Sequence, residues 1–111
     1  MKKIYVKGGE DIIKEGTQSD CAYIIDSGSV EVSKSDPEGK RKILCTLHEK
    51  EIFGELGLID GLPRTATVTA LEDCTVSILT PDTFNSLSKR NPQALMPILK
   101  VLANRLRATL K

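Results

Sequence analysis

The feature that most constrains the fold is a succession of short apolar runs with a period of two, each closed within a few residues by Gly, Asp, Ser or Pro. The runs are Ile4–Val6, Asp11–Lys14, Cys21–Asp26, Ser29–Lys34, Arg41–Leu47, Thr65–Leu71 and Thr75–Leu79. In the fourth, Val30 and Val32 alternate with Glu31 and Ser33, so one face turns inward and the other outward. Ser35-Asp36-Pro37-Glu38-Gly39 has the turn chemistry of a hairpin loop. Six to eight such strands predict an all-β barrel, sandwich or jelly roll.

The period changes near residue 80. Thr80-Pro81-Asp82 opens a helix expected to reach about Lys89. Asn91 is expected to cap a second helix beginning at Pro92. Leu95, Ile98, Leu99, Leu102, Leu106 and Leu110 fall on one stripe of it. Pro97 inside that helix would cost about 3 kcal/mol, so either the helix starts near Pro97 or it kinks there. The stripe is expected to pack on the strands, a homodimer seam being the alternative. No repeat or linker interrupts the chain, which predicts one domain over residues 1–111, strands to about 80 and helices over 81–111.

The totals exclude several classes of function. A net charge of +1 over 111 residues provides no field for nucleic acid. Lys40-Arg41-Lys42 and Arg105-Leu106-Arg107 read as solvated faces. Cys21, Cys45 and Cys74 are odd in number, widely spaced and set among strand-like residues. They are expected to be buried free thiols in a reducing compartment rather than a disulfide framework or a zinc site. His48 is the single histidine and is expected in a surface turn. Without a nucleophile–base pair or a cluster of ligands, neither an enzyme nor a metal site is expected. The start of the chain lacks the apolar core of a signal peptide, and no apolar run is long enough to span a bilayer. A soluble, cytoplasmic protein is the expectation.

Residues 53–68, Phe-Gly-Glu-Leu-Gly-Leu-Ile-Asp-Gly-Leu-Pro-Arg-Thr-Ala-Thr-Val, are much longer than a hairpin needs. Glu55–Ile59 can form a turn and a half of helix, and Gly54 and Gly57 allow backbone to approach a ligand. A helix N-terminus and the Arg64 guanidinium both suit an anion. Glu55 would repel that anion, yet it suits a sugar hydroxyl, and the two together suggest a nucleotide. A structural Glu55–Arg64 ion pair explains the same residues equally well.

Phe53–Leu58 with Pro63–Val68 resembles the phosphate-binding cassette of the cyclic-nucleotide-binding domain family, found in kinase regulatory subunits and catabolite activator protein. Gly9-Glu10 with Ile12 and Glu15-Gly16, Tyr23–Ile25 with Ser27–Val32, and Asn91-Pro92 with the leucine stripe resemble the rest of that domain. The resemblance implies a mainly β jelly roll, or double-stranded β-helix, with a cassette helix and C-terminal helices. It implies a ligand, cAMP or cGMP, and no cofactor.

It also implies ligand contacts from Gly54, Glu55, Leu56, Gly57, Arg64 and Thr65. Arg64 would hold the cyclic phosphate, helped by the amides of Gly57 and Thr65. Glu55 and the Gly54 backbone would meet the ribose. Phe53, Leu56 and Leu58, being apolar, are expected in the core. Thr65 permits cGMP without requiring it. The base would be capped from the last helix by Leu102, Arg105 or Leu106. The resemblance thus implies a non-catalytic sensor that relays its signal by moving the C-terminal helix to an effector. The alternatives are a roll acting as an interaction module without nucleotide, and the sensor half of a transcription regulator. The family's N-terminal helix and any DNA-binding segment are missing from the sequence, which is expected to be a fragment or a module acting in trans.

Overall fold

The structure is a computed structural model that describes residues 1–109. Eight strands, β1 (Lys2–Val6), β2 (Asp11–Ile13), β3 (Ala22–Ser27), β4 (Val30–Ser35), β5 (Arg41–Leu47), β6 (Ile52–Phe53), β7 (Thr67–Ala70) and β8 (Cys74–Leu79), form two antiparallel sheets. Their orders are β1-β8-β3-β6 and β2-β7-β4-β5. Helix α1 (Glu55–Asp60) interrupts the strands, and α2 (Pro81–Arg90), a 3-10 turn (Pro92–Leu95) and α3 (Met96–Thr109) follow them.

The sheets face each other because alternate residues of both are apolar. Val6, Ile25, Phe53, Cys74 and Val76 of one meet Ile13, Val30, Leu47, Val68 and Ala70 of the other in one buried cluster. The outer face of the β1-containing sheet carries a second, smaller cluster. There Ala22, Ile52 and Leu79 are covered by Leu58 of α1, Phe84 of α2, and Ile98 and Val101 of α3. The three helices therefore share one apolar floor, which ties the position of α3 to that of α1.

All seven strand expectations fall within a residue or two of the observed bounds. The run Thr65–Leu71 begins two residues later, at Thr67 of β7, because the chain at Arg64 is held elsewhere: its N–H donates to Thr17 O at 2.9 Å, and its carbonyl accepts from Gly16 N at 2.8 Å. β6 was not foreseen. Two residues cannot display an alternation, and β6 exists through pairing with β3, where the Phe53 and Tyr23 rings stack at 5.3 Å.

Thr80 caps α2 as expected, its Oγ1 accepting from Thr83 N at 3.2 Å. Asn91 does not cap with its side chain; its carbonyl accepts from Ala94 N at 2.9 Å, closing the 3-10 turn. Pro97 is accommodated because α3 begins at Met96, so the proline lies in the first turn, where its missing N–H has no helical acceptor to lose. Leu110 of the expected stripe lies outside the described residues.

Two surface expectations also change. Cys45 is exposed, whereas Cys74 is buried and Cys21 partly so. Arg105 does not lie on a solvated face with Arg107, because it reaches back to the roll. His48 is exposed in the turn between β5 and β6, as expected. Among the described residues no helix is long and apolar enough to cross a membrane.

Candidate functional site: an acceptor and a donor in one cavity

Gly54 ends β6 and begins α1 with a φ of 77°, a left-handed conformation that a side chain disfavours. This turn aims the first residue of α1, Glu55, inward, and Glu55 is only 2% exposed. Gly57, one turn further on, is required for space rather than for conformation. A Cβ there would lie 2.7 Å from both Arg64 Nη1 and the Ser19 carbonyl oxygen. The glycine thus lets the Arg64 guanidinium lie flat beneath α1.

Arg64 is 7% exposed and held from behind. Its Nη1 donates to the Gly54 carbonyl at 2.9 Å, and its Nη2 donates to Ser19 Oγ at 3.1 Å and to the Cys21 carbonyl. None of these partners is charged. Its formal charge is therefore solvated by dipoles alone, a costly burial unless a counter-ion arrives.

The structural ion pair that the sequence left open does not form. Glu55 pairs with Arg105 of α3 instead, and Arg105 also donates to the Ile52 carbonyl at 2.9 Å. Among the described residues two buried side-chain polar atoms lack a hydrogen-bond partner, Glu55 Oε2 and Arg64 Nε. One is an acceptor and the other a donor, and both residues border the same cavity of about 320 Å³.

All six residues expected at the site, Gly54, Glu55, Leu56, Gly57, Arg64 and Thr65, border this cavity. Leu56 departs from the core expectation: it is 50% exposed, because the first turn of α1 turns it toward the cavity rather than the sheet. Phe53 is buried, and Leu58 packs on the smaller cluster. Of the three candidates for a cap, the structure brings Arg105 to the cavity wall, while Leu106 is 60% exposed. Ser19 and Cys45 were not foreseen here. Ser19 carries no motif, and its role follows from a contact 45 residues away in sequence.

A family model described as the cyclic nucleotide-binding domain matches residues 3–91. The chain belongs to the cyclic nucleotide-binding domain family. A CRP-like cAMP-activated global transcriptional regulator of Mycobacterium tuberculosis is 33% identical over 91% of the chain and 45% of its own length. A cAMP-dependent protein kinase regulatory subunit of Yarrowia lipolytica is 39% identical over 74% of the chain and 21% of its own length. Thermus thermophilus catabolite activator protein superposes with a TM-score of 0.92 at 28% identity, covering 97% of the chain and 51% of that protein. The chain thus spans about half the length of these relatives, or less. The shared fold is the cyclic nucleotide-binding roll.

Proposed function

We propose that this chain is a non-catalytic sensor that binds a cyclic nucleotide in the cavity beneath α1. The observation that carries the reading is the pair of buried, unpartnered atoms of opposite sense, Glu55 Oε2 and Arg64 Nε, in two residues that border one cavity. A single ligand with an anionic group and a hydroxyl answers both. The phosphate of a cyclic nucleotide takes Arg64 as its counter-ion, with the amides of Gly57 and Thr65 supporting it. The ribose 2′-hydroxyl donates to Glu55 and lies against the Gly54 backbone. The ligand we favour is cAMP, since the relatives described above are named for it. Thr65 leaves cGMP open.

The relay we propose runs through Arg105. It ties α3 to Glu55, the residue that would meet the ribose, so a ligand there changes the partner that fixes α3 and shifts the balance of its positions. Residues 1–80 are then the receptor and the following helices its output, within one cytoplasmic binding unit. Leu99 and Leu106 are 55% and 60% exposed on α3 and are offered to a second copy of the chain. Spanning 45% of a transcription regulator supports a second reading, the sensor half of such a protein acting with a DNA-binding partner segment.

Calorimetric titration of cAMP and cGMP into nucleotide-free protein tests the sensor. Micromolar or tighter binding is expected, weakened in Arg64→Ala by about 2–5 kcal/mol because the phosphate loses its buried counter-ion. Heat from neither nucleotide would leave an interaction module in place of a sensor.

A further inference from the structure

The cavity has a second wall that the phosphate and ribose contacts do not use. It is formed by β5, the edge strand of its sheet. In the ladder Leu47 pairs with Val30 and Cys45 with Val32, so Cys45 shares the inward-facing side of β5 with buried Leu47. An inward residue of a closed sandwich would be buried. Cys45 is nevertheless exposed, because the face it occupies borders the cavity rather than the core. Leu44, Leu47 and Val32 line the same wall.

The other two thiols are placed differently. Cys74 is 1% exposed, and its thiol donates to the Ser29 and Glu72 carbonyls. Cys21 is partly buried, and burial followed by the neighbouring Asp20 pushes its thiol pKa up, disfavouring the reactive thiolate. Cys45 is the accessible thiol of the three. The buried unpartnered atoms of Glu55 and Arg64 mark independently the cavity it borders as a ligand site.

We infer that Cys45 is a modification site for low-molecular-mass disulfides of the glutathione type, and that its adduct competes with nucleotide for the cavity. The inference rests on the sensor reading above. In the step, the Cys45 thiolate attacks one sulfur of glutathione disulfide. A sulfur–sulfur bond forms at Cys45, and the bond within the disulfide breaks. One glutathione leaves as thiolate and takes up the proton that Cys45 released. Cys45 is oxidised and the departing glutathione is reduced. The tripeptide then stands on the wall of a cavity of about 320 Å³, the space a single small ligand needs.

The test treats the reduced full chain with glutathione disulfide, maps adducts by peptide mass, and measures cAMP affinity by calorimetry before treatment, after it, and after dithiothreitol. The expected result is an adduct on Cys45, formed more slowly with cAMP present, and an affinity loss of roughly tenfold or more that dithiothreitol reverses. Cys45→Ser, whatever its starting affinity, is expected to show the same affinity before and after treatment. An adduct on Cys45 with unchanged affinity, or adducts only elsewhere, overturns this inference and leaves the sensor reading standing. Reduced protein that binds neither cAMP nor cGMP overturns both.

Discussion

Arg64 Nε and Glu55 Oε2 lie within a short stretch of sequence, yet their significance comes from what surrounds them. Three uncharged acceptors hold Arg64 from behind, and Arg105 takes one oxygen of Glu55, so each residue keeps one buried polar atom without a hydrogen-bond partner, and both residues border the cavity. A different residue-scale device fixes β1. The Asp73 carboxylate accepts from Gly8 N at 3.0 Å and from the Tyr5 hydroxyl at 2.9 Å. The Gly8 amide, then Tyr5, holds Asp73 below the usual carboxylate range, and the bond to Asp73 raises the Tyr5 pKa. A depressed carboxylate contributes stability present above its unfolded pKa and lost as pH falls through the folded one. A raised phenol contributes stability present below its unfolded pKa and lost as pH rises through the folded one. The difference in melting temperature between the wild type and Asp73→Ala is therefore expected to be widest between roughly pH 5 and 9 and to close toward both extremes. A constant difference across a pH series of melts would remove this account.

At the scale of elements, the helical stripe divides. Ile98 of the stripe packs on the floor shared with α1 and α2, together with Val101, which the stripe did not include, while Leu99 and Leu106 of the stripe are exposed. Spacing alone could not separate them, because α3 meets the roll along a narrow line and the stripe is wider than that line. What holds the far part of α3 is Arg105, 50 residues from Glu55 in sequence. Removing its side chain in Arg105→Ala leaves the Glu55 carboxylate buried without that partner. The pair lies between an exposed one, worth little, and a buried one, so the expected loss is about 1–3 kcal/mol. It is expected as faster amide hydrogen exchange in α3, with the β3–β8 ladder unchanged. Uniform acceleration through both would mean that Arg105 supports the whole fold rather than the seat of the helix.

At the scale of the whole molecule, β1 pairs with β8, so the first strand and the last close the same sheet. The helices thus leave the roll from a strand flanked on both sides, β1 on one and β3 on the other. The exposed leucines of α3 belong to this scale, since nothing among the described residues covers them. Sedimentation of the purified chain is expected to show a concentration-dependent dimer, and Leu99→Glu with Leu106→Glu is expected to give monomer. A monomer at all concentrations in the unaltered chain would leave α3 as an output surface for another partner.

The sequence alone determined seven of the eight strands, the Thr80 cap of α2 and the six residues that border the cavity, because alternation, turn chemistry and the cassette pattern are local and lie within a few residues of one another. Only the tertiary structure decided what those residues do to each other. It showed that Glu55 pairs with Arg105 and not with Arg64, that Ser19 backs the guanidinium, that β6 exists, and that Cys45 faces a cavity instead of a core. Each of these depends on contacts across tens of residues, or on an edge strand whose inner face borders empty space. No local pattern reports such a contact, because a side chain's partner is set by where the sheets and helices bring the chain back together.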